Sequence, residues 1–296
     1  MESRFENLTI FQFQKLFPDA DVCLQYLADI KWKDGYSCPK CNHTRYCKGK
    51  NHLDRQCTRC HYLESPTAGT IFHKIKFNLL TAFWIVYYVS NHKKGLSSCE
   101  LSRKLGLRQK TCWLFKQKIM QAMNETDAEK LSGEVEIEEI VMGPKRAGTS
   151  EKPRDKEKLV ILAIEKRGKG ASRITAKVVE STSKKELEAF LENKIEKESE
   201  ILTKKWPVYE HISRDYPNMV CGKSKRGKKP FTLKDRVIMG LRAWIRGTHH
   251  HITLVQSYLH EYCYRFNRHI QKTGIFEEMV ERMMHHEPAP YKIIIA

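Results

Sequence analysis

"EVEIEEIVMG", residues 134–143, sets two adjacent carboxylates, Glu138 and Glu139, in a run whose apolar residues alternate as in a half-buried strand. Acids at such positions have two readings. In one, the strand lies at a sheet edge and its acids are solvated. In the other, carboxylates on a sheet hold a divalent metal. The chain that follows extends the sheet. "KLVILAIEKRG" (158–168) and "SRITAKVVES" (172–181) are patterned as strands. "SKKELEAFLENKIEKES" (183–199) is an amphipathic helix with Leu187, Phe190, Leu191 and Ile195 on one face, and "EILTKKW" (200–206) resumes as a strand. Further helices are expected over 232–246 and 253–269. Three strands, a helix, a strand and then helices make an α/β layer fold.

The charge points to a polyanion partner. Among 296 residues, 53 Lys and Arg face 35 Asp and Glu, a formal charge of +18, which favours nucleic acid or an acidic membrane surface. With 41% hydrophobic residues the chain can bury a core. No apolar run reaches membrane-span length; "LLTAFWIVYYVS" (79–90) is too short and reads as a buried helix. The opening "MESRFENLTIFQF" lacks the layout of a signal peptide, so the 10 cysteines suggest metal ligands or buried thiols over disulfides.

Four of those cysteines fall as Cys38-x2-Cys41 and Cys57-x2-Cys60, in "YSCPKCNHTRYCKGKNHLDRQCTRCHY". Two such pairs suit tetrahedral thiolate coordination of Zn²⁺, each forming a knuckle on one side of the ion. Four protein ligands leave no open position, so the expected role is structural, and zinc should supply folding energy to a module with little core of its own. Cys47, His61 and His43 lie close by and are left outside the ligand set.

Behind this zinc ribbon, "FNLLTAFWIVYYVSNH" (77–92) is an apolar helix, followed by "GLSSCELSRKLGLRQKTCWLFKQKIMQAM" (95–123). Ser97 or Ser98 caps a short helix, Gly106 ends it, and a second begins at about Gln109. This is the layout of a DNA-reading helix-turn-helix. Arg108, Gln109 and Lys110 stand at the start of the second helix, with Lys116 and Lys118 one to two turns on. The plainer reading is a helical hairpin with a solvated basic face. Two loops are also strongly basic, "PKRAGTSEKPRDKEK" (144–158) and "GKSKRGKKP" (222–230). The second offers Lys223, Lys225, Arg226, Lys228 and Lys229 for backbone-phosphate contacts.

A four-cysteine ribbon, a helix-turn-helix and a strand-rich core that begins with acids, in this order, resembles the insertion-sequence transposases of the bacterial group related to eukaryotic Merlin elements. The resemblance runs from about residue 8 to about residue 270. "FPDADVCLQYLADIKWKDGYSCPKC" is similar to the family's opening into its ribbon, "LSSCELSRKLGLRQKTCW" to its helix-turn-helix, and "GEVEIEEIVMGPKR" to the strand bearing its first catalytic acid. "LRAWIRGTHHHITLVQSYLHEYCYRFNRH" is similar to its C-terminal signature, including Gly247, His249, Tyr258, Glu261, Arg265, Asn267 and Arg268.

The resemblance implies a multidomain α+β chain with a ribonuclease H-like core, in which three acids hold two Mg²⁺ or Mn²⁺ ions for strand cleavage and transfer. Glu138 matches the first acid, where the family has Asp, and Asp235 matches the third. The family's second acid, in a stretch like T-D-G-W, is replaced in "TKKWPVY" by Lys204. Asp215, in "ISRDYPN", belongs by pattern after a helix and not on the strand. Two functions of different class follow. One is a metal-dependent transposase acting on terminal repeats. The other is a transposase-derived DNA-binding protein, a repressor or a recruited host factor, that no longer cuts. An RNA-binding or transcription role rests on charge alone and has no stacking aromatic motif behind it.

The expected organisation is a helical segment (1–32), zinc ribbon (33–72), helix-turn-helix region (73–127), transposase core (132–270) and C-terminal tail (271–296). The partner implied is double-stranded DNA, with pairing of protomers on it, and no membrane. The resemblance implies a cytoplasmic, nucleoid-associated bacterial protein. In "THHHI" (248–252) the Gly-Thr-His part of the signature suggests an active-site neighbour or a phosphate contact. His285 and His286 are read as peripheral.

Overall fold

The starts of the first four helices are set by side chains that accept otherwise unpaired backbone N–H groups. Thr9 forms a capping box with Gln12 at α1 (Ile10–Leu16), and Asp19 accepts from Asp21 and Val22 at α2 (Ala20–Lys31). Asn78 starts α3 (Leu79–Asn91), and Ser97 accepts from Glu100 N at 3.1 Å to start α4 (Ser98–Leu105). Gly106, at φ 65°, ends α4 in the left-handed conformation that a Cβ would oppose, and α5 (Gln109–Ala122) follows. Between α2 and α3 lies a small antiparallel sheet of β1 (Tyr46–Lys48), β2 (Arg55–Cys57) and β3 (Leu63–Glu64).

The computed structural model describes residues 8–92, 94–125, 129–143, 157–205, 207–222, 232–249, 252–269 and 274–295. Two units emerge. The first joins Met1–Met123 to Gln271–Ala296, and the second is Asn124–Ile270. The core is thus an insertion in a unit made from both ends of the chain. Among the described residues no helix is long and apolar enough to cross a membrane.

In the first unit the segment read as a tail is a structural partner. Of its last two helices (Ile275–His285 and Tyr291–Ile295), the first brings Phe276, Met279, Val280 and Met283 into full or nearly full burial, and the second buries Ile294. Phe276 meets Phe13 and Phe83 edge-on and Phe17 at a tilt, and Ile71 N donates to Met283 O at 3.1 Å. The apolar residues of "IFEEMVERMMH" recur every three to four positions, so burial of one helix face explains the docking.

The second unit is built on a five-stranded sheet of β4 (Glu134–Met142), β5 (Lys158–Arg167), β6 (Gly170–Val179), β7 (Glu200–Lys204) and β8 (Met219–Gly222), in the order β6-β5-β4-β7-β8. β4, β5 and β6 form an antiparallel meander, and β7 and β8 add in parallel. This mixed sheet is the ribonuclease H-like core. β4 lies in its middle, which removes the edge-strand reading of its acids. One face is covered by α6 (Lys184–Lys194) and α7 (Pro207–Ile212), whose Leu187, Phe190, Leu191, Tyr209 and Ile212 pack on Val135, Ile137, Ile161 and Ile201. α8 (Leu233–Trp244) runs into a single π-turn at Ile245–His249, and α9 (Val255–Asn267) packs against β6.

β6 is an edge strand, and α9 closes that edge with two side-chain amides. Asn267 accepts from Ile174 N at 2.8 Å and donates to Ile174 O at 3.0 Å, as a neighbouring strand would. Gln256 does the same for Val178 N at 2.7 Å and Ala176 O at 3.4 Å. Covering an edge in this way removes a template for pairing with another chain.

Candidate functional sites

The four cysteines converge. Cys38 N donates to His43 O and Asn42 N to Cys38 O; Cys57 N donates to Tyr62 O and His61 N to Cys57 O. The two knuckles are thus copies of one turn, with Asn42 and His61 both at φ 56°. Sγ–Sγ distances are 3.5 Å for Cys38–Cys60 and 3.6 Å for Cys41–Cys57, and all four atoms lie within 4.8 Å of one another. A tetrahedron with Zn–S bonds of about 2.3 Å has edges of about 3.8 Å, so the donor set fits zinc. Burial raises the Cys38 thiol, yet the N–H groups of Lys40 and Cys41 override it and bring the pKa down to about 6. Cys57 is lowered in the same way by Arg59 and Cys60. The cluster supports a structural zinc. Cys47 instead donates to Gln56 O, and the His43 ring bonds Thr58.

Around the cluster, Trp32 and Tyr36 pack on Cys38 and Cys57, and Arg55 stacks between Trp32 and Tyr46 at 4.1 and 4.2 Å. Lys31, at the end of α2, donates to Ser65 O and Ala68 O and pairs with Glu64 at 2.7 Å. The ribbon is therefore fastened to the helix before it.

On the core sheet, the period of two sends the β4 acids to opposite faces. Glu139 shares the face of Val135 and Ile137, with its side chain only 4% exposed. There it accepts a hydrogen bond from the Tyr209 hydroxyl and forms an ion pair with Lys204. Burial, with the Glu139 charge beside it, holds the Tyr209 phenol far above its ordinary pKa, so it stays a donor.

The other face carries a ladder of alternating charge. Lys166 Nζ lies 2.6 Å from Glu134 and 3.6 Å from Glu136, and Lys234 Nζ lies 3.5 Å from Glu136 and 2.7 Å from Glu138. Burial works against the charge on Lys234, but the hydrogen bond it donates to Glu138, with Glu136 behind it, raises its pKa above the usual lysine value. Lys234 was not among the residues singled out from sequence. It precedes Asp235, and its contact brings the first turn of α8 to the acids of β4.

Asp235 itself closes a helix cap. Its Oδ2 accepts from Thr232 N at 2.9 Å and from Thr232 Oγ1 at 2.6 Å. β7 pairs with β4 from Glu134–Glu200 to Glu136–Leu202, and Lys204, two residues further on, pairs its ammonium with Glu139. Asp215 lies exposed in the turn after α7, off the strand. Among the described residues the four cysteines are the one group of three or more His, Cys, Asp or Glu side chains close enough to share an ion, and Glu138 and Asp235 belong to none. Glu136 and Glu138 hold the Lys234 ammonium, Glu139 that of Lys204, and Asp235 its own helix cap.

Two family models match the chain. The ISXO2-like transposase domain matches residues 130–267, and the transposase zinc-ribbon domain matches residues 18–63, together more than half of the sequence. The chain belongs to the insertion-sequence transposases. No curated protein matches it.

In this transposase the start of α5 is open to solvent at Arg108, Gln109 and Lys110, and Gln109 Nε2 also donates to Ser98 Oγ at 2.7 Å. Lys116 departs from the expected set. It is 3% exposed and donates to Leu96 O at 2.6 Å, so it fastens α5 to the segment before α4 and offers nothing to a phosphate. Lys223, Lys225, Arg226, Lys228 and Lys229, with most of the 144–158 loop, lie outside the described residues.

The signature residues of the transposase are mostly structural. The His249 side chain is only 4% exposed, its ring 4.8 Å from Trp244 and 4.7 Å from Tyr258, so it presents little surface for the phosphate contact that was one of the two roles expected of it. Arg265 makes two bonds to buried Glu261, of 3.0 and 2.8 Å. Arg268 pairs with Glu125, to which Asn267 Nδ2 also donates at 2.7 Å. The entry and exit of the core are thereby tied together at one point.

Proposed function

We propose that this transposase chain binds double-stranded DNA, the terminal repeats of an element, through its N-terminal unit and holds it without metal-dependent cleavage. One observation carries the reading. Lys204 stands where the central metal-binding acid is expected, and its ammonium is paired with Glu139. A cation at that place repels a divalent ion that a carboxylate would hold.

DNA binding is assigned to Arg108, Gln109 and Lys110, which project from the N-terminal end of α5, where helix N–H groups also favour phosphate. The net charge of +18 supplies the sequence-independent attraction. Protomers are expected to pair around two DNA ends. A second reading, cleavage through Glu138 and Asp235, is favoured by the Lys234–Glu138 contact, which sets α8 and its Asp235 beside β4.

Binding is tested by fluorescence anisotropy of a labelled duplex across a salt series. The wild type should bind with a steep salt dependence. Arg108→Ala/Lys110→Ala should lower the log–log slope by about 2, one phosphate contact for each residue. An unchanged slope would remove α5 from the interface.

A further inference from the structure

We propose that Lys234 is the resident cation of the core. Its ammonium bridges Glu136 and Glu138 in the place a divalent ion would take, so the core is charge-neutralised without metal and admits an ion only when that ammonium is removed. The inference rests on reading the core as non-cleaving, and it goes further by naming what fills the acid face.

The geometry comes from the sheet. Alternate residues of a strand point to one face at a spacing of nearly 7 Å, so Glu134, Glu136 and Glu138 form a row. Three carboxylates in a row on a central strand repel one another and need counter-charge. Lys166 from β5 fills the first gap and Lys234 from α8 the second, with distances of 2.6 and 3.6 Å, then 3.5 and 2.7 Å. The Glu136 and Glu138 side chains are 15% and 22% exposed, so solvent screens the row only in part. An Mg²⁺ or Mn²⁺ ion bound to Glu138 would sit about 2 Å from its oxygen. At that distance it would lie against the Lys234 ammonium, and the two cations exclude each other. Lys204 acts in the same sense on the opposite face, through Glu139. No signal within the acid-bearing strand marks Lys234, which arrives from a helix nearly a hundred residues later.

The test uses the full-length, zinc-loaded protein and Mn²⁺ as the probe, with no DNA present. Free Mn²⁺ is followed by electron paramagnetic resonance and stability by thermal unfolding. The wild type is expected to take up no Mn²⁺ and to keep its midpoint. Lys234→Ala should lower the core midpoint by about 3 °C, as unpaired carboxylates repel. It should bind one equivalent of Mn²⁺ and regain the loss. Lys234→Gln, which keeps most of the side-chain stem, should behave alike and separates lost charge from lost packing. Lys234→Ala/Glu138→Gln should bind none. Mn²⁺ uptake by the wild type, or absence of uptake in both single variants, overturns the proposal. Neither result bears on strand cleavage, which is measured separately, so the two readings fail independently.

Discussion

Replacing Cys57 with Ser is expected to abolish zinc retention and unfold the ribbon. Cys57 is fully buried, stands at the first position of the second knuckle and has Trp32, Tyr36 and Cys38 as its core neighbours. That cluster is too small to hold three strands of two or three residues each. In comparable small modules the metal supplies on the order of 10 kcal/mol of folding free energy. The check is zinc content by atomic absorption together with limited trypsin digestion. Wild type should hold one zinc per chain and resist cleavage at Arg45 and Lys48; the variant should hold none and be cut there rapidly. Acid should act in the same direction. Zinc binding needs thiolates, so protons compete with the ion for the four sulfurs and zinc retention falls as the pH is lowered.

Phe276→Ala should destabilise the N-terminal unit by about 4 kcal/mol, although the residue lies near the other end of the chain. Phe276 is 2% exposed and closes an aromatic cluster with Phe13, Phe17 and Phe83. Truncation leaves a cavity ringed by rigid side chains that cannot collapse into it. Differential scanning calorimetry should show one transition falling steeply while the transition of the core stays in place. If both moved together, or neither did, the docking of the last helices on the first would be refuted.

The ribbon was legible because thiol spacing fixes its geometry, and the strand–strand–strand–helix–strand order was legible from periodicity. α7 and β8 were not: β8 has four residues, alternately half-buried and exposed, with little apolar signal. "IFEEMVERMMH" carries a helical stripe, but nothing local says that its partner surface lies near the chain's start. The site divides in the same way. Lys204 was visible as a misfit in its motif. Lys116 reads as a surface base beside Lys118, and only the backbone carbonyl of Leu96 that it meets reveals it as buried. Lys234 and Thr232 were invisible, since their importance lies in which carboxylates they reach.

The most direct measurement of whether this transposase cuts DNA is nicking of supercoiled plasmid in Mg²⁺ and in Mn²⁺, with wild type beside Asp235→Ala and Lys204→Asp. The expected result is an intact plasmid with wild type and with Asp235→Ala, despite DNA binding, and with Lys204→Asp as well, because the Lys234 ammonium still holds Glu136 and Glu138. Nicking by wild type that disappears in Asp235→Ala would contradict the account, and would mean that Lys204 leaves Glu139 when DNA and metal arrive.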